Sequence, residues 1–218
     1  MRLPGMRTVA ATLLLVPALL LSAAGGRGAA AGPAEGANGA NGFDRCLAEL
    51  AETDLLFDPE PEPPTGDACD LTDAVQVIEA GSAELSRPFL STCPLAAAFD
   101  RFEREVLQPA AERHLGRRVA RLEHSGTYRC SHVAGGAGRL SQHATANAID
   151  VHAFVLEDGE SVSVLAHWED PGPAGQFLRE VGREACAVFS AVLGPGYNRA
   201  HRDHFHFDLG PYDICSES

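Results

Sequence analysis

The eight residues His201-Arg202-Asp203-His204-Phe205-His206-Phe207-Asp208 restrict this chain more than any other stretch. Three of the nine histidines in the sequence fall within six positions there. Side chains alternate across a strand, so His204, His206 and Asp208 share one face while Phe205, Phe207 and Leu209 share the other. The aromatic face is suited to a core, which holds the backbone still, and the imidazole face is then presented to whatever lies above the sheet. Two imidazoles one pleat apart can serve one centre, but a metal requires further ligands from elsewhere. The run Ser141-Gln142-His143-Ala144-Thr145-Ala146-Asn147-Ala148-Ile149-Asp150 offers them.

The N-terminus has a separate logic. Arg2 and Arg7 precede an apolar run from Val9 to Leu21, followed by Ser22, Ala23 and Ala24, the layout of a secretory signal over residues 1–24. The run is short for a membrane span, so the expectation is a cleaved signal, with an uncleaved anchor as the alternative; either exports the body of the protein. Residues 25–42 are a Gly/Ala-rich leader too poor in apolar surface to order itself. Residues 43–218 have the length of one domain with a real core. The formal charge is −13, and residues 1–24 hold two arginines and no acids, so their removal leaves −15. Such an acidic surface argues against nucleic acid or an anionic membrane as partner. It says nothing about oligomeric state.

All six cysteines, Cys46, Cys69, Cys93, Cys130, Cys186 and Cys215, lie beyond the signal. An even count in an exported chain reads as three disulfides, and no C-x-x-C pair suggests a zinc ribbon or redox motif. Of the 15 possible pairings, sequence alone selects none; the expectation taken forward pairs Cys46 with nearby Cys69 and pins the C-terminal Cys215 back to Cys130.

Periodicity outlines an α+β domain, a small central antiparallel sheet flanked by helices. Helix is expected over Asp44–Leu56, then a stiff acidic loop from Asp58 to Gly66, then a strand over Ala74–Ala80. A helix starts near Thr92, capped by Thr92 or Ser91 with Pro94 in its first turn. It carries Leu95, Phe99, Phe102, Val106 and Leu107 on one side and bends at Pro109. Strands follow at Arg118–Glu123 and Ala148–Leu156, with a turn at Asp158-Gly159 and a returning strand over Ser161–Ala166. A long amphipathic helix spans Ala174–Leu193 and is stopped by Gly194-Pro195-Gly196.

His143, Asp150 and His206 make two imidazoles and one carboxylate, a set that suits Zn²⁺. Three protein ligands leave a fourth position open, which marks a catalytic rather than a structural site. Zinc lowers the pKa of water to about 7, and His204 beside it is placed to take a proton as general base. His201 would orient that base or steady an oxyanion. Asp208 is read either as orienting a ligand imidazole or as a solvated strand end. His152 shares a face with Asp150, while His114, His124, His132 and His167 show no partner in sequence.

The elements S-x-H-x6-D and H-x2-H-x-H resemble those of zinc metallopeptidases grouped as lysostaphin-like, D-Ala-D-Ala-carboxypeptidase-like and hedgehog-like. From Cys46 to Cys215 the chain more closely resembles the bacterial extensin-like C-terminal domain family, through Tyr-x-Cys, S-x-H-A-x2-N-A-I-D, L-G-P-G-Y-N and H-x-D-H-F-H. The resemblance implies a metallopeptidase-like fold, zinc on His143, Asp150 and His206, and a catalytic His204. It also implies that Ser141, Tyr128 and Arg129 prepare the site for a substrate carboxylate or carbonyl. Alternation puts Tyr128 and Arg129 on opposite faces, so only one of them faces the metal. A guanidinium there would neutralise charge developing on a carbonyl oxygen. Two departures stand out. Ala146 occupies a place where such runs carry glycine, and Asp203-His204 replaces the glutamate base of many carboxypeptidase relatives.

The resulting expectation is a periplasmic or secreted zinc hydrolase acting on the peptide stems of peptidoglycan, at bonds next to D-amino acids. The alternative is a non-catalytic, zinc-stabilised module that binds the cell wall or a partner.

Overall fold

The computed structural model describes residues 42–60, 69, 71, 73–133 and 138–216. The signal expected at 1–24 and the leader expected at 25–42, apart from Gly42, lie outside the described residues, as do positions 61–66 of the expected acidic loop and positions 134–137. Helix α1 (Gly42–Leu50) leads to β1 (Leu56–Glu60), β2 (Ala74–Glu79), β3 (Glu84–Leu85) and β4 (Phe89–Thr92). Helix α2 (Cys93–Phe102) passes through a π-turn at Glu103–Leu107 into α3 (Gln108–Leu115), and β5 (Val119–Gly126) follows. A 3-10 turn at Gln142–Thr145 precedes β6 (Ala148–Leu156), β7 (Ser161–Ser163), α4 (Val164–His167) and α5 (Pro173–Ala185). The chain closes with β8 (Ala191–Leu193), a second 3-10 turn at Arg199–His201, β9 (Phe205–Asp208) and β10 (Ile214–Cys215).

The α+β class is as expected, but the sheet is larger and mixed. One three-stranded antiparallel sheet has the order β1-β2-β4. A seven-stranded sheet has the order β10-β8-β9-β6-β5-β3, with β7 also on β6. Its β10–β8 and β3–β5 pairs are parallel, and the pairs that carry the centre, β5–β6, β6–β9 and β8–β9, are antiparallel.

Several boundaries differ from the sequence expectation, each for a local reason. Helix α1 ends at Leu50, and Leu56 belongs to β1, an edge strand where Pro59 is tolerated because its missing N–H is not needed. The expected strand Ser161–Ala166 stops at Ser163, whose hydroxyl accepts from the Ala166 N–H and caps α4. The helix expected to reach Leu193 ends at Ala185. Ser190 N–H instead bonds the Asp208 carbonyl, and Ala191–Leu193 pairs with β9. Val188, Phe189 and Val192 are buried either way, so apolar spacing could not separate helix from short core strand.

Thr92 caps α2 as expected, with its Oγ1 3.3 Å from the Leu95 N–H. Ahead of Pro109 the helix takes the wider π-turn, which places the residue lacking an N–H in the first turn of α3.

The aromatic face of β9 anchors the core. Phe205 and Phe207 are buried, and Phe207 stacks on Phe189 at 4.8 Å and lies 5.0 Å from Phe102. Phe205 meets Trp168 edge-on at 5.8 Å. A Cβ at Gly194 would stand 3.1 Å from the Phe205 ring, so glycine is the residue that admits it. Each such ring contributes about 1.5–3 kcal/mol by burial.

The disulfides are Cys46–Cys93, Cys69–Cys130 and Cys186–Cys215, which corrects the expected Cys46–Cys69 and Cys130–Cys215 pairs. Folding, not proximity in sequence, decides the matter. Helix α1 brings Cys46 to the start of α2, and β10 brings Cys215 to the end of α5. Among the described residues no helix is long and apolar enough to cross a membrane.

Candidate metal centre

Two devices deliver the ligand atoms. Asp150 and His206 are direct cross-strand partners in the β6–β9 ladder, so the sheet register alone puts carboxylate and imidazole side by side. His143 comes from the 3-10 turn, which is held at both ends. Ser141 Oγ accepts from the His143 N–H at 3.3 Å, and Ala146 closes the turn in the left-handed region at φ 50°. The Ala146 carbonyl accepts from Thr92, and Asn147 donates its side-chain amide to Gln142 at 2.8 Å. An alanine with positive φ, standing where related runs carry glycine, stores about 1 kcal/mol.

His143 Nε2, Asp150 Oδ1 and His206 Nδ1 converge. The separations are 3.2 Å from His143 to Asp150, 3.1 Å between the imidazoles, and 3.0 Å from His206 to Asp150. The far side of each ring is already committed. His143 Nδ1 donates to the Thr127 carbonyl at 2.6 Å, and a carbonyl only accepts. His206 Nε2 lies 2.9 Å from Asp208 Oδ2, a buried carboxylate that also accepts from the Gly210 N–H. With both rings neutral, the nitrogens that face the cluster carry lone pairs. Three acceptor atoms then meet with no proton between them, which is unfavourable unless a cation joins them.

The fit to zinc follows from the donor set. Two imidazole nitrogens and one carboxylate oxygen are zinc ligands, and bonds of about 2.0–2.1 Å in a tetrahedral arrangement set ligand–ligand separations of about 3.3 Å. The observed 3.0–3.2 Å edges are close to that. These three residues are also a group that can hold a metal by mutual distance alone.

In the metal-free protein a proton serves instead. Burial works against an imidazolium at His206, but hydrogen bonds to Asp150 and Asp208 outweigh it and the pKa is pushed up to about 9. Burial alone would raise Asp150, yet hydrogen bonds from His143 and His206 hold its carboxyl far below the usual range. Burial, then the neighbouring His204 and His206, push His201 down to about 4.

The remaining candidates sort by position. His204 Nε2 lies 3.7 Å from Asp150 Oδ1, and the His201 ring is 5.2 Å from His204 and 5.9 Å from His206, so both adjoin the cluster. Ser141 caps the ligand turn as an acceptor, which leaves its own O–H as a donor. Tyr128 is half-buried against Leu71, Ala74 and Ala146, with its hydroxyl donating to the Cys69 carbonyl at 3.3 Å. Arg129 is exposed; its backbone N–H bonds the His143 carbonyl at 3.0 Å, and its side chain makes no hydrogen bond or ion pair among the described residues. His152 makes no hydrogen bond to the cluster, and its Nδ1 is buried without a partner among the described residues. Thr127 escaped the sequence reading because its contribution is a backbone carbonyl, which no side-chain pattern reveals.

Fold and site together define a disulfide-bonded α+β protein with a partly buried His₂Asp cluster that could hold a metal. Residues 44–216 match the family described as Extensin-like protein C-terminus, and the chain belongs to it. No curated protein matches the chain, and no solved structure does.

Proposed function

We propose that this protein is an exported zinc-dependent hydrolase that cleaves peptide bonds in peptidoglycan stems, at bonds next to D-amino acids. The observation that carries the reading is the meeting of His143 Nε2, Asp150 Oδ1 and His206 Nδ1 with their outer ring nitrogens already engaged. These three residues would hold zinc, with Thr127 and Asp208 orienting the imidazoles. Bound there, zinc would supply a Lewis acid that polarises a carbonyl and acidifies water. His204 accepts the proton that leaves the attacking water and returns it to the departing amine. Arg129, exposed and without a side-chain hydrogen bond or ion pair among the described residues, is the candidate to neutralise charge developing on the substrate carbonyl. The motif resemblance to lysostaphin-like and D-Ala-D-Ala-carboxypeptidase-like enzymes supports the substrate class, and three disulfides suit a periplasmic or secreted location.

The test is metal analysis of the purified protein followed by digestion of intact peptidoglycan, with released peptides read by mass. His204→Ala is expected to retain zinc and fold but lose turnover by roughly 10²–10⁴-fold, and Arg129→Lys to lose turnover with metal content intact. Zinc-loaded protein that releases no peptides would favour the non-catalytic wall- or partner-binding module. Two observations already lean that way: the Tyr128 hydroxyl donates to the Cys69 carbonyl, and Arg129 is exposed with no side-chain hydrogen bond or ion pair among the described residues.

A further inference from the structure

His201 and His204 adjoin the cluster, and each has a partner on its Nδ1 side that determines what its other nitrogen can do. Asn198 Oδ1 accepts from the Ala200 N–H at 2.8 Å, which fixes which end of that amide is oxygen. The same oxygen is 2.9 Å from His201 Nδ1. An amide oxygen only accepts, so His201 Nδ1 carries the hydrogen. Asp203 Oδ1 is 2.9 Å from His204 Nδ1, and the hydrogen bond from His204 holds the Asp203 carboxyl below its ordinary range, so it too is an acceptor. His204 Nε2 points back toward Asp150 at 3.7 Å.

We infer that Asn198 and Asp203 are positioning residues that lock His201 and His204 in the Nδ1–H tautomer, so that Nε2 of each ring carries a lone pair, that of His204 on the side of the His143–Asp150–His206 cluster. A free imidazole prefers the opposite tautomer, with hydrogen on Nε2, which would turn a proton acceptor into a donor at that place. The two locks differ in kind. A charged carboxylate stands behind His204 and a neutral amide behind His201. Asn198 also caps the 3-10 turn Arg199–His201, but capping would not account for the second contact from its oxygen to the ring. The catalytic consequence rests on the proposed hydrolase reading; the tautomers themselves do not.

The experiment uses the full chain, zinc-free and zinc-loaded, at about pH 8, above the ordinary imidazole range. Long-range proton–nitrogen NMR spectra of the ring nitrogens are expected to show Nδ1–H for His201 and His204. Asp203→Ala should move His204 toward Nε2–H, and Asn198→Ala should do the same for His201. Asp203→Glu and Asn198→Asp should restore the wild-type pattern. Zinc content and thermal unfolding serve as controls for a merely structural effect. With a peptidoglycan substrate, Asp203→Ala should lower kcat by about 10–100-fold with KM little changed. Nε2–H signals in the wild type, or ring signals unmoved by the alanine variants, would overturn the inference. Correct tautomers in a protein that hydrolyses nothing would leave it standing and remove the hydrolase reading instead.

Discussion

Two carboxylates in this molecule, buried Glu180 and half-buried Asp150, are treated in opposite ways. Glu180, on α5, meets the Arg113 guanidinium, His114 Nε2 at 2.7 Å and Arg183 at 4.0 Å. Arginine does not give up its proton, so the charge on Glu180 is balanced by the protein itself and α3 is tied to α5 for good. Asp150 meets only imidazoles: His143, His206 and, at 3.7 Å, His204. Their charge is conditional, so the balance at Asp150 is completed by something exchangeable, a proton or a metal ion. A carboxylate walled by arginine is a brace, and one walled by imidazoles is a socket.

The sharpest way to break this contrast is to remove the socket. Asp150→Ala, like His143→Ala or His206→Ala, should take the protein from about one zinc per chain to none by elemental analysis. For the wild type, zinc at about a thousandfold over its dissociation constant should add about 4 kcal/mol to unfolding free energy, and a chelator should remove it. Stoichiometric metal in any of the three variants would sink the ligand assignment.

Next in size is the pH dependence of the metal-free protein. His206 is raised from its ordinary value to about 9, so its contribution is fully present below about pH 6.5 and is lost as pH rises through 9, a fall on the order of 3 kcal/mol. Asp150 is depressed, so its contribution is present above about pH 4 and fades below it. Denaturant unfolding with chelator should therefore show greatest stability between about pH 4 and 6.5. Adding zinc should reverse the alkaline loss, because the ligand imidazole must be deprotonated. A flat profile from pH 6.5 to 9 would mean that no proton holds the socket together.

Removing the brace should cost less and leave the metal alone. Arg113 has a side chain 60 % exposed, and solvent can take over its charge. Glu180→Ala should then cost about 2 kcal/mol, below the usual range for breaking a fully buried pair, with zinc content unchanged. Loss of metal on this substitution would show that the two regions are coupled.

The smallest effect is expected at Ala146. Glycine there would relieve about 1 kcal/mol of left-handed strain but forfeit about 0.8 kcal/mol from a buried methyl, so Ala146→Gly should lie within about 0.5 kcal/mol of wild type. A shift beyond 1 kcal/mol in either direction, by denaturant unfolding, would mean that one term has been misjudged.

The cluster was legible in the sequence because its geometry is mostly local. Alternation on an aromatic-backed strand exposes His206, and a short turn into a neighbouring strand brings His143 near Asp150. Asp208 was legible as one of two readings, and the His206 hydrogen bond decides it. The parts that stayed hidden depend on distant segments. Cys46 cannot announce Cys93 before α1 and α2 pack, and Val192 cannot announce a strand before β9 is there to pair with. Backbone groups such as the Thr127 carbonyl leave no trace in a side-chain pattern. The parallel pairs at the sheet margins were missed because β3 and β10 are two residues each, too short for any periodicity.

The position of β9 has a kinetic consequence. It lies between β6 and β8, not at a margin, and its ladder partner Val151 is far from Phe205 along the chain. A central strand supplied so late in the sequence cannot be added by growth at an edge; the sheet has to close around it, after the loop entropy of the intervening segment has been lost. That same insertion brings His206 to Asp150, so the proposed metal site would be completed in one step with the sheet. During refolding, zinc uptake should lag the formation of helix and keep time with the burial of Phe205 and Phe207, which makes the ion a clock for the last event in folding.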